Sequence, residues 1–170
     1  VVRNILERAL EAYKDKGNQP MDLVFYNDAI DHLLRIHRVI RIEQGNCLLV
    51  GVGGSGKQSL AKLATFLAKY ELWTLTIASK FEEKHLREQL VQLFHKFEEV
   101  GEMVPIVFLF TDEQVLNESF MELINNILTT GIVPAIFEKS EKDAIIEKWK
   151  PQAAKLDLAE TKDVAYGLFV

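Results

Sequence analysis

Two short runs combine residue types that handle phosphate. The first is Gly51-Val52-Gly53-Gly54-Ser55-Gly56-Lys57-Gln58-Ser59. Gly51 and Gly56-Lys57 sit at the spacing of a loop that binds phosphates between a strand and a helix. Each residue type has a physical reason. Glycines allow positive φ and close backbone approach to an anion. The loop N–H groups then form an anion nest, and a helix beginning near Lys57 adds its positive end. Lys57 brings a compact charge to the β and γ phosphates of ATP or ADP. Gln58 stands where the pattern has Ser or Thr to offer a hydroxyl to Mg²⁺. Ser59 comes next, but a helical step turns by about 100°, so its hydroxyl faces elsewhere. Gln58 offers an amide oxygen on a longer arm, within reach of a metal-bound water. The plain alternative is a glycine-rich turn between a strand and a helix.

The second run is Ile106-Val107-Phe108-Leu109-Phe110-Thr111-Asp112-Glu113, an apolar strand ending in two acids. In this Walker B arrangement Asp112 holds Mg²⁺ through a water, and Glu113 orients and deprotonates the attacking water. Carboxylates after a strand lie where ligands bind in open α/β sheets. The acids alone also fit a solvated turn, and Glu113 alternatively caps the following helix. Their place some 55 residues after Lys57, with a strand and a helix between, favours the Walker B reading.

Several elements must position these residues. Val2, Ile5, Leu6, Ala9, Leu10 and Tyr13 recur at helical spacing over residues 1–16. Residues 28–41 repeat the pattern, with Ile30, Leu33, Leu34, His37 and Ile40 on one side. Cys47 to Val50 reads as a short strand buried on both faces, with Cys47 inside it. A helix over 57–69 follows the loop, carrying Leu60, Leu63, Ala64 and Leu67. Leu72 to Ile77 reads as a strand, and 82–99 as a helix with Leu86, Leu90, Leu93, Phe94 and Phe97 inward. Val104 to Phe110 is a central strand, 118–129 a helix stopped by Gly131, and Val133 to Phe137 extended. Ser140 and Asp143 suit the cap of a last helix with Ile145, Ile146 and Trp149 inward, which Pro151 interrupts; the tail is ambiguous. Alternating strands and helices predict an α/β fold, a mostly parallel sheet with helices on both faces.

Composition narrows the partners. A net charge of −5 with scattered Lys and Arg argues against nucleic acid. No apolar stretch nears the roughly 20 residues of a membrane span. One cysteine excludes an internal disulfide and fits a reducing compartment. His32, His37, His85 and His95 lack metal-ligand spacing, and His37 reads as a packed histidine. Trp73 and Trp149 read as core. Asn125 and Asn126 fit a surface or capping role better than a phosphate contact. Both ends look cut, so the chain reads as a segment of a larger polypeptide.

These residues carry a resemblance. GVGGSGKQSL over Gly51 to Leu60 resembles the phosphate loop of the fourth AAA+ module of axonemal dynein heavy chains. The likeness continues in LVFYNDAIDHLLRIHRVIR from Leu23 to Arg41, VFLFTDEQV from Val107 to Val115, and FMELINNILTTGIVPAIF from Phe120 to Phe137. The Gln58-Ser59 pair is distinctive, since the cytoplasmic counterpart normally has Thr there. The resemblance implies a P-loop NTPase fold of AAA+ type, here a partial module over 1–170. N-terminal helices would occupy 1–44, the P-loop and Walker B core 45–137, and a C-terminal helical segment 138–170. The sensor strand and the helical lid of the module would be missing. In the family's sheet order that sensor strand separates the P-loop strand from the Walker B strand, which makes the segment alone a marginal fold.

The resemblance also implies ATP or ADP with Mg²⁺, Lys57 on phosphate, Asp112 at the metal and Glu113 at the catalytic position. In this module that last position is often not glutamate, so hydrolysis stays open. The partners implied are neighbouring modules of the same heavy chain, microtubules through the full motor, and dynein intermediate and light chains, in the axoneme of a cilium or flagellum. Two functions are compatible with it: a cycling ATPase module, or a nucleotide-gated structural module with little hydrolysis. An unrelated P-loop ATPase is a further alternative, and a free-standing kinase lacks a lid pattern.

Overall fold

The computed structural model describes residues 1–42, 44–78, 80–99, 105–131, 133, 136–159 and 161–169. Val104, Pro134 and Ala135, which the sequence places in extended segments, lie outside the described residues, as does the side chain of Phe97. The chain forms two compact units, Val1–Thr74 with Glu102–Phe110, and Leu75–Gly101 with Thr111–Val170.

The first unit holds α1 (Val2–Asp15), α2 (Asn27–Ile40), α3 (Lys57–Ala68), β1 (Glu71–Thr74) and β2 (Ile106–Leu109). Its core joins Leu6 and Tyr13 of α1, Met21 and Phe25 of the connection, Leu33 and Ile36 of α2, and Leu60, Leu63 and Ala64 of α3. Tyr13 meets Phe66 edge to face at 5.2 Å, and Lys16 lies over the same ring. Thr65 is the buried polar residue of α3; its hydroxyl donates to the Ala61 carbonyl at 2.8 Å and so loses nothing by burial. Helix α2 turns most of the expected face inward, with Leu33 in the core and Ile30 and Ile40 packed against it, but Leu34 is not part of that face and Ile36 is. Ala29, Leu33 and Ile36 are buried, His37 is half-buried and Leu34 is exposed. Apolar residues ring much of α2, so periodicity alone leaves its rotation open.

Strands β1 and β2 form a parallel pair, with Trp73 opposite Phe108 and Thr74 opposite Leu109. The Trp73 and Phe108 rings touch at 5.2 Å, a cross-strand aromatic pair. With a helix between them in sequence, the two strands are parallel, in agreement with the α/β expectation.

The expected strand at Cys47–Val50 does not form. These residues are in no regular element; Leu48 is 88% and Val50 85% exposed, and Cys47 is exposed rather than buried. The reason is pairing. An apolar run supplies side chains for a sheet, but a strand exists only where a neighbour takes its N–H and C=O groups. Among the described residues no strand lies alongside this segment.

The second unit holds α4 (Glu83–Glu99), a 3-10 turn (Asp112–Gln114), α5 (Glu118–Thr130), α6 (Lys139–Lys155) and α7 (Lys162–Phe169). Leu86, Leu90 and Leu93 of α4, Phe120 and Leu123 of α5, Ile145 and Ile146 of α6, and Phe169 of α7 are buried. Phe169 gathers Phe94, Phe137 and Trp149 around it at 5.7–6.2 Å between ring centres. Helix α6 corrects two expectations. It begins one residue before Ser140, and Glu141 Oε2 accepts from the Glu138 N–H at 2.9 Å, so Glu138 and Glu141 make the cap contact instead of Ser140 and Asp143. It also runs through Pro151 to Lys155. Pro151 removes one backbone donor, but α6 lies along α7 with Ala153 and Ala165 fully buried, and that packing supports the second half.

Candidate nucleotide site

Lys57 is the first residue of α3, and Gly56 before it sits at φ 79°. Gly54 is at φ 73°. Side-chain-bearing residues rarely adopt these angles, so the loop turns where the sequence puts glycine. At Gly51 the demand is for space, since a Cβ would stand 3.2 Å from Ser55 Oγ and 3.5 Å from Lys57 Cδ. The Lys57 side chain folds back into the loop. Its ammonium donates to the carbonyls of Gly51 at 2.6 Å and Val52 at 2.8 Å, and Ser55 Oγ lies 3.5 Å away. The Ser55 N–H donates to the Val52 carbonyl at 3.3 Å and closes the turn. The loop is therefore a ring of backbone around one ammonium.

Val52, Gly53, Gly54 and Ser55 are exposed around that ring. Beyond it, Gln58 is exposed and Ser59 half-buried on the first turn of α3. A glycine-rich backbone cradle, an ammonium within it and a helix N-terminus behind it fit a phosphate group.

Asp112 and Glu113 belong to the second unit and form the exposed outer side of the 3-10 turn. Thr111 and Gln114 close that turn with a reciprocal capping box, in which the Gln114 Oε1 accepts from the Thr111 N–H at 2.9 Å. Gln114 Nε2 also donates to the Leu75 carbonyl at 3.0 Å. Glu113 does not cap the following helix. Asn117 does, its Oδ1 accepting from the Phe120 N–H at 3.2 Å and from the Ser119 hydroxyl at 2.6 Å. Among the described residues no group of three or more His, Cys, Asp or Glu side chains could enclose a metal. Asp112 fits a divalent cation only as one ligand, with phosphate oxygens and waters supplying the rest.

Sequence reasoning missed Gln114, though Thr111-Asp112-Glu113-Gln114 carries the capping-box signature. It also missed a polar cleft of about 100 Å³ between α4 and α5, lined by Glu83, Arg87, Ser119, Glu122, Leu123 and Asn126. Arg87 pairs with Glu83 at 2.9 Å; that hydrogen bond, with one from Ser119, holds the Glu83 carboxyl below its usual range. Asn125 is exposed on α5, and Asn126 faces this cleft.

Residues 21–170 match the family of P-loop-containing dynein motor region D4. The chain belongs to this family. The curated relatives agree. The D4 segment is 43% identical over 169 residues to the dynein-1-alpha heavy chain of the flagellar inner arm I1 complex of Chlamydomonas reinhardtii. It is 43% identical over 167 residues to human dynein axonemal heavy chain 10. The dynein beta chain of the Chlamydomonas flagellar outer arm is 35% identical over 170 residues. Each match covers 98–100% of this chain and 4% of the relative. A dynein D4 region is a nucleotide-binding P-loop module, and the loop from Gly51 to Lys57 is where this chain carries that pattern. No helix among the described residues is long and apolar enough to cross a membrane.

Proposed function

We propose that this chain is the ATP-binding D4 module of a ciliary or flagellar dynein heavy chain, and that it regulates or contributes to ATP-driven movement along microtubules. One observation carries the reading: the glycine loop closes around the Lys57 ammonium at the head of α3. The backbone of Gly51 to Gly56 would receive the phosphates of ATP or ADP, and Lys57 would bind the β and γ phosphates. Gln58 and Ser59 stand at the entry to the helix beside them. Asp112 would hold Mg²⁺ through water, and Glu113 would take a proton from the attacking water. The bound metal supplies charge neutralisation for phosphoryl transfer.

Gln58 favours a second reading, a nucleotide-gated structural module with little hydrolysis, because it lacks the hydroxyl that ligates the metal. The named relatives support placement in an axoneme. The partners consistent with that placement are the neighbouring modules of the same heavy chain, microtubules, and intermediate and light chains of the complex.

The test is photo-cross-linking of an azido-ATP to the intact heavy chain, reading the peptides of this module. Lys57→Ala should lower their labelling by at least about tenfold, the loss of a charge-assisted phosphate contact. Equal labelling of parent and variant would refute the loop assignment.

A further inference from the structure

We infer that Gln114 is a positioning residue for Asp112 and Glu113, acting as an amide spliced into the end of the β1–β2 ladder. The inference rests on the roles proposed above for the two acids. The ladder's own register identifies the splice. Glu71 N–H donates to the Pro105 carbonyl at 3.0 Å, and Glu71 is paired with Ile106. In a parallel ladder every second residue of one strand bonds the residues on either side of its partner. Stepping along from Glu71 through Trp73 to Leu75, the next bond of this series runs from the Thr111 N–H to the Leu75 carbonyl. The Gln114 carboxamide stands between those two groups. Its oxygen accepts from the Thr111 N–H at 2.9 Å and its nitrogen donates to the Leu75 carbonyl at 3.0 Å.

A carboxamide carries the same donor and acceptor as a peptide group, so it extends the ladder by one rung made of side chain. The rung holds the chain after β1 and the chain after β2 apart by its own width. It also ties down the turn whose outer residues are Asp112 and Glu113, both exposed. A second glutamine supports the same segment. Gln89 of α4 accepts from the Thr76 N–H at 2.9 Å and donates to the Thr76 carbonyl at 2.7 Å. The Leu75-Thr76 stretch is thus gripped by two amides, and Gln114 carries the grip across to the acidic turn.

The chemistry at this position is narrow. Glutamate would still accept from Thr111 but would set a carboxylate oxygen against the Leu75 carbonyl. Alanine loses both contacts. In the intact heavy chain, azido-ATP labelling of this module is titrated with Mg²⁺ and with a chelator. Gln114→Ala and Gln114→Glu should each keep the apparent affinity in chelator within about twofold, while the gain on adding Mg²⁺ falls about fivefold, the value of one or two hydrogen bonds. Asp112→Ala should lose at least as much of that gain. Gln114→Glu is nearly isosteric, so it reports even if the alanine variant fails to fold. An unchanged Mg²⁺ gain in Gln114→Glu beside a lost gain in Asp112→Ala would overturn the inference. So would an equal loss with and without Mg²⁺, which marks a merely structural amide. If Asp112→Ala keeps the gain, the metal role of Asp112 falls and this inference with it; the loop reading is judged separately by Lys57→Ala.

Discussion

The phosphate loop and the acidic turn both come after short apolar runs, yet the two runs have different fates. Ile106–Leu109 is half-buried and laddered to β1, and the turn after it is tied by Gln114. Cys47–Val50 is also wholly apolar, but it is unladdered, with Leu48 and Val50 almost fully exposed. The loop after it is nevertheless well formed. Its order comes from the other direction, from α3 and from the ammonium of Lys57. The acidic turn is held by a side-chain amide from its own last residue, and the phosphate loop from its C-terminal side, by a helix.

Hydrogen exchange of this chain tests the contrast most directly. Amides in the ladder, such as Val107 and Leu109, should exchange at least on the order of a hundredfold more slowly than those of Leu48, Leu49 and Val50. Comparable rates in the two segments would erase the difference. A charge placed in each run gives a smaller but independent effect. Val107→Asp should cost about 2–3 kcal/mol, because it sets a carboxylate in a half-buried ladder. Leu48→Asp should stay within about 0.5 kcal/mol, as at an ordinary surface site. Chemical denaturation of the two variants reads both values, and a Leu48→Asp loss as large as that of Val107→Asp would show that Leu48 is packed after all.

The smallest effect belongs to the cleft between α4 and α5, where structure rests on a half-buried ion pair instead of a ladder. The folded-state pKa of Glu83 is lowered from 4.5 by Arg87 and Ser119. Its contribution is therefore present above the ordinary carboxylate range and disappears as pH falls through the folded value. Screening keeps it small. Glu83→Gln should lower the melting temperature by no more than about 2 °C at pH 7, and the gap should close in acid as the folded-state carboxyl takes up its proton. A gap that persists unchanged in acid would mean that Glu83 acts through packing.

Much of this was legible in the sequence. Glycines before Lys57 and a terminal Gly131 mark the start of α3 and the end of α5, because these residues act locally. The pairing of β1 with β2 could be read from a helix between two apolar runs. What escaped the sequence depends on distant partners. Cys47–Val50 has the side chains of a strand but not the neighbour. Helix α2 has more apolar residues than one face can bury, so Ile36, which is buried, was separable from Leu34, which is exposed, only by packing. Pro151 promised a break that α7 prevents. Gln114 carried a local signal for its cap but none for its second bond, to Leu75, which lies 39 residues away.

The bonds from Lys57 to the Gly51 and Val52 carbonyls also bear on selectivity. The loop is already satisfied by a charge of its own, so an incoming group enters by exchange. It must outbid two short carbonyl contacts for the ammonium, and a neutral or weakly charged molecule has little to offer in that competition. An oligophosphate presents several anionic oxygens at once and can take the ammonium over while the backbone N–H groups engage it. On the proposed assignment, the side chain that would bind the phosphates would thus also set a threshold against weaker ligands.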